Sequence, residues 1–161
     1  MVNLYRILSA EKHSHEYRER EKLIINLQNK DYFNDSELRA VMNYKGGSIH
    51  TNQEAVKYTS LAFKTEDLDQ KIKYLRKLNG VGMITASTIM MVHDPYNYAE
   101  LNYHAWNLLQ RNYGLGGSEK DGNSDYSVTE YKKYLEMVKS LSNEYGMKPS
   151  DIVYILSVLN R

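Results

Sequence analysis

The sequence predicts an all-α protein, on three observations. Apolar residues recur at three- and four-residue spacing and do not alternate. Only two prolines, Pro95 and Pro149, interrupt the 161 residues. Polar capping residues and glycines punctuate the chain at intervals suited to helices. A hydrophobic content of 42% supplies one ordinary core and little material for another, so residues 1–161 are expected to form a single helical domain.

A first helix is expected over about residues 16–30, with Leu23, Ile24 and Leu27 on one face. Asp35 or Ser36 would open the next, which would end near Gly46 and Gly47. A third would follow Thr51, turning Ala55, Val56, Tyr58, Thr59 and Ala62 inward, with Phe63 near its end. Thr65, Glu66, Asp67 and Asp69 then mark a capped start whose acids suit the positive end of the helix dipole. Ile72, Leu75 and Leu78 continue as an apolar stripe, while Lys71, Lys73, Arg76 and Lys77 gather toward the far end.

After a turn, residues 84–92 are almost wholly apolar, the pattern of a buried helix, with Met90 and Met91 as core filler. His93, Asp94 and Pro95 stop it, and another helix is expected over residues 99–112, closed by the glycines of 114–117. Residues 118–125 have the composition of a mobile surface loop. Two last helices are expected over about 127–145 and 150–159, with Gly146 at the stop and Ser150 at the next cap.

Composition narrows the function classes. The absence of cysteine removes disulfides, thiolate metal sites and cysteine nucleophiles. The start lacks the apolar core of a signal peptide and no apolar run approaches membrane-spanning length. The expectation is an intracellular protein, cytoplasmic or nucleoid-associated, with no membrane partner. A formal net charge of +1 gives no global attraction to nucleic acid, so any such binding must be local. The fifteen tyrosines suit rings buried with their hydroxyls wet, or stacked on bases.

The sharpest local signal is Leu78-Asn79-Gly80-Val81-Gly82-Met83. Two helices that reverse within a few residues need left-handed or crowded backbone, which Gly80 and Gly82 adopt at low cost. Their missing side chains let backbone amides approach a ligand. The helix beginning at about Met83 then aims unpaired N–H groups, those of Met83 and Ile84 among them, at whatever lies before the turn, and a phosphate suits them. Val81 sits between the glycines as an inward plug, and Arg76 and Lys77 add attraction. Backbone carbonyls of the turn are suited to holding a monovalent cation; no other cofactor is required. A Gly-x-Gly step also marks plain tight turns between packed helices.

On these residues the chain resembles the helix-hairpin-helix DNA glycosylase superfamily, whose turn reads Leu-Pro-Gly-Val-Gly. Tyr103-His104-Ala105-Trp106-Asn107-Leu108-Leu109-Gln110-Arg111-Asn112-Tyr113 is similar to the 8-oxoguanine glycosylase branch, and the looser likeness is to small members of the superfamily. The resemblance implies a compact glycosylase-like fold with the motif at about 66–93, duplex DNA, damaged or intact, as partner, and hydrolysis of N-glycosyl bonds if the protein is active.

It also implies a catalytic aspartate about twenty residues after the second glycine, and Asn102 stands there. Bifunctional relatives carry a lysine nucleophile two residues after that glycine, where this chain has Ile84, which cannot form a Schiff base. Asn102 orients a water but is no general base near neutral pH. Three explanations stand: a binding protein without catalysis, a deliberate trapping substitution, or a carboxylate shifted to Asp94 or Glu100. Asp94 also suits a turn and Glu100 a first helical turn.

The resemblance gives His104 a contact to phosphate or nucleotide; a helix-start hydrogen bond is the local alternative. His13 and His15 lack a third metal ligand, and His50 and His93 lack visible partners. Trp106 reads as core, and Lys45 and Arg111 as phosphate contacts or solvated charges. A DNA-binding module, an active glycosylase and a helical scaffold that only packs or binds protein are the competing functions.

Overall fold

The computed structural model describes residues 3–161, and among them every regular element is helical: α1 (Leu4–Glu11), α2 (His15–Leu27), α3 (Asp35–Lys45), α4 (Ala55–Lys64), α5 (Leu68–Leu75), α6 (Met83–His93), α7 (Tyr103–Tyr113), α8 (Val128–Tyr145) and α9 (Pro149–Leu159). The all-α expectation holds. No helix among the described residues is long and apolar enough to cross a membrane.

Two apolar helices organise the core. In α6 every residue from Ala86 to Val92 is buried, and α2, α3 and α5 pack around it, with α4 joined to α3 and α5. In α9 the residues from Pro149 to Ser157 are buried, wrapped by α1, α7 and α8. Arg20 of α2 ties the two groups together. Fully buried, it donates to the Ser150 carbonyl and to Asp151 on α9, and its guanidinium lies over the rings of Tyr17 and Tyr154. Such a pair costs desolvation, which the surrounding partners offset.

Several boundaries differ from expectation for identifiable reasons. The sequence offered no signal for α1, which Asn3 caps by accepting from the Arg6 N–H. Ser14 then caps α2 separately. That helix ends at Leu27 rather than 30, because Asn29 takes a left-handed φ of 62° and donates its N–H to the His93 carbonyl. The cap of α3 is Asn34, in a reciprocal box with Glu37, which frees Asp35 to accept from the Asn52 N–H at 2.6 Å.

On α4, Ala55, Thr59 and Ala62 are buried as expected, but Val56 is exposed. Lys148, not Ser150, precedes α9, and Ser150 is buried with its hydroxyl unpartnered. The 118–125 loop, expected to be mobile, is fastened to α7: Asn107 exchanges two hydrogen bonds with the Lys120 backbone, and the Trp106 indole donates to the Ser118 carbonyl at 3.0 Å.

Tertiary bonds also delay α7, which starts at Tyr103 rather than 99. The extended connector before it is held by four side chains from three helices. Tyr131 and Tyr134 of α8 donate to the carbonyls of Ala99 and Glu100, both at 2.9 Å. Ser87 of α6 accepts from the Leu101 N–H at 2.8 Å, and Lys45 of α3 donates to the Leu101 carbonyl at 3.2 Å.

Candidate nucleic-acid interface

The turn between α5 and α6 is built from both of its flanks. Leu78 and Val81 are buried, fixing the backbone to the core, while Asn79, Gly80 and Gly82 face solvent. Gly80 has φ +75°, a conformation that L side chains rarely adopt. A Cβ there would also overlap the ring of His50, which packs against the turn and so gains the partner that the sequence did not reveal.

Gly82 is used differently. Its φ of −99° and ψ of −162° are extended, so left-handed freedom is not what the position requires. A Cβ at Gly82 would meet nothing within 4 Å. What glycine supplies here is an open approach to the start of α6, which no side chain caps. The N–H groups of the first turn are thereby left for a ligand.

Met83 and Ile84 contribute only through that backbone. The Met83 side chain is buried, and Ile84 is half-buried against the core while its carbonyl accepts from Ser87 and Thr88.

The outer flank is a clasp that no pattern in the residues announces. Asn52, only 4% exposed in a loop, accepts from the Asn79 N–H and donates to the Asn79 carbonyl, and Asn79 in turn donates to the Thr51 carbonyl. Asparagine in a loop is unremarkable in a sequence; burial is what distinguishes this one. A depression of about 400 Å³, bordered by Thr51, Gln53, Tyr58 and Lys77, opens beside the clasp.

The charge on α5 is distributed more narrowly than its sequence suggests. Lys71 is buried, with its ammonium donating to the Ala62 carbonyl at 2.9 Å and its pKa lowered by burial, so it is withdrawn from the surface. Lys73, Arg76 and Lys77 are exposed and, among the described residues, take part in no ion pair. Glu54 borders the same depression and tempers their field.

The second group of expected residues lies at the start of α7. Asn102 is its cap, accepting from the Ala105 N–H at 3.1 Å. His104 is half-buried, tilted against Tyr103, and its carbonyl accepts from Asn160. Helix α6 links this group to the hairpin, through Ser87 and the Leu101 N–H.

Beside Asn102, Glu100 is 7% exposed, and its carboxylate receives no hydrogen bond among the described residues; Lys45 lies 3.8 Å away, and the buried Arg20 also feels its charge. Asp94 instead serves its turn, accepting from Asn97. Lys45 and Arg111, considered for phosphate contacts, are both engaged internally, Lys45 as above and Arg111 with Asn160. His93 also has partners, stacking on Phe63 at 3.6 Å and contacting the Lys30 carbonyl. No three His, Asp or Glu side chains among the described residues converge in a metal-binding group.

Comparison of the chain with family models, with curated proteins and with solved structures returns no match.

Proposed function

We propose that this protein binds the phosphate backbone of duplex DNA through a helix-hairpin-helix formed by α5, the turn at Gly80 to Gly82, and α6. The observation that carries the reading is the uncapped start of α6 behind an unobstructed Gly82. A phosphate there would meet backbone N–H groups and the positive end of the helix dipole without displacing any side chain.

The unpaired cations Lys73, Arg76 and Lys77 supply the accompanying local charge that the near-neutral chain otherwise lacks. A monovalent cation at the turn would be held by main-chain carbonyls. Those of Leu78 and Asn79 already accept from Val81 and Asn52, which leaves Gly80 and Val81 as its first ligands.

The test is fluorescence anisotropy of a labelled duplex at several salt concentrations, with the wild type and Gly82→Leu. Binding that falls steeply with salt and is lost in the variant, with helical content retained, is the expected result. Equal retention by both proteins overturns the hairpin assignment, and no retention by either at low salt favours the scaffold.

A second reading is favoured by Glu100. A carboxylate this buried and without hydrogen-bond donors is available to a ligand, and it precedes Asn102 by two residues. In a glycosylase it would stabilise the cationic sugar as the base departs. Release of base from a duplex carrying 8-oxoguanine or uracil, abolished in Glu100→Gln, would establish it; no release by the wild type would remove it.

A further inference from the structure

We propose that the cleft between α2 and α3 is a binding site for a nucleobase or nucleoside, read by the carboxamides of Asn26 and Asn43 and packed against Tyr44. The cleft has a volume of about 500 Å³, within the range of small-ligand sites. Its floor is apolar, made by Leu23 from one helix and Ala40 from the other.

Three polar groups on its walls are free. Among the described residues, neither carboxamide and not the Tyr44 hydroxyl takes part in a hydrogen bond, although Tyr44 is half-buried. Each carboxamide offers one acceptor and two donors on a planar edge, the pattern that pairs with the edge of a base. Burial and the nearby charge of Glu100 raise the pKa of the Tyr44 hydroxyl, keeping it protonated and able to donate.

Charge selects the class of ligand. Glu16 is neutralised by Arg161, which forms a two-pronged contact at 2.6 and 2.9 Å. Glu19 and Lys22, also on the wall, oppose each other in sign. Apart from the imidazole of His15, the cleft therefore offers no surplus positive charge for a phosphate. A neutral, planar, hydrogen-bonding ring with an apolar face fits it, whether free in solution or carried as an unpaired base on a strand.

The site is separate from the hairpin and does not depend on the DNA-binding reading. It is tested by amide NMR spectra of the full chain titrated with the four ribonucleosides, a short single-stranded oligonucleotide and inorganic phosphate. Expected are shifts along α2 and α3 with at least one nucleoside or with the oligonucleotide, and none there with phosphate. Response to free nucleosides assigns the source as small molecule, and response to the oligonucleotide alone assigns it as strand.

Asn43→Ala and Asn26→Ala, both at exposed positions, should each weaken binding by roughly tenfold, the scale of a lost base-edge contact. Gly82→Leu should leave it unchanged, which separates this site from the hairpin. No shift in the cleft with any base-bearing ligand, shifts with phosphate alone, or shifts that survive both asparagine variants would overturn the proposal.

Discussion

Asn52 grips both main-chain groups of Asn79: its Oδ1 accepts from the Asn79 N–H at 2.6 Å and its Nδ2 donates to the Asn79 carbonyl at 3.3 Å. The hairpin turn is thereby joined to the loop before α4 in the way that one β-strand is joined to another. Its shape does not depend on the turn's own residues alone.

Removing that grip should cost stability as well as geometry. Asn52→Ala leaves the Asn79 N–H without its partner, a loss of about 1–3 kcal/mol. Urea denaturation should show it, and DNA retention should fall with it. Asn52→Asp keeps the acceptor but turns a buried carboxylate oxygen on the Asn79 carbonyl, beside Asp35, so it should be no milder than Ala. Asp tolerated as well as the wild type would argue against the paired geometry.

Gly80 and His50 should show coupled energetics. Gly80→Ala imposes a left-handed φ on a residue with a side chain, at about 1–2 kcal/mol, and adds an overlap with the His50 ring. Truncating His50 to Ala removes the overlap and leaves the backbone strain. In a double-mutant cycle read by thermal melting, Gly80→Ala should therefore be less harmful in the His50→Ala background. Simple additivity would mean that the ring swings away at no cost.

The two lysines of α5 at positions 71 and 77 should separate cleanly. Lys77→Ala should weaken duplex binding and reduce the slope of log affinity against log salt by about one, as expected for one lost phosphate contact. Lys71→Ala should leave that slope unchanged, because its ammonium is committed to Ala62. Its effect should appear instead in stability, through an unpaired buried carbonyl.

His93 predicts a pH dependence whose sign follows from burial. Desolvation lowers its pKa in the folded protein below the ordinary histidine value near 6.5, so in acid the unfolded chain takes up the proton more readily. The stabilising contribution is complete above the unfolded pKa and is lost as pH falls through the folded one. Thermal melts from about pH 7.5 down to about pH 5, the span around the ordinary histidine pKa, should show His93→Phe, which keeps a ring against Phe63, losing less stability on acidification than the wild type. An identical acid slope in both would sink this assignment.

Legibility in the sequence followed the range of the interactions. Ala86 to Val92 announced a buried helix because seven apolar or small residues in a row leave no polar face, and Val81 announced a plug because it stands alone between two glycines. Those are local facts. Val56 misled because its spacing matches the inward face, yet Ala55 and Thr59 occupy the contact with the core. Lys71 misled because a lysine in a basic run reads as surface, and only the fold brings the Ala62 carbonyl to it.

At the candidate interface the glycines were visible, but their division of labour was not: Gly80 meets a backbone and steric demand, Gly82 leaves space. Asn52 and His50 come from a loop about thirty residues earlier in the chain, beyond any periodicity. The wall of the α2–α3 cleft was equally hidden, since Asn26 and Asn43 look like ordinary surface residues until the helices set them on one groove.

The connector through Ala99, Glu100 and Leu101 is moored to α3, α6 and α8 at once. A clamshell movement of the α6 group against the α9 group would have to tear several of these moorings and the Arg20 tie together. The scaffold is thus a rigid template rather than a jaw. If a duplex seats on the hairpin as proposed, any adjustment of shape falls to the DNA, and pliable or interrupted duplexes should then be held in preference to stiff ones.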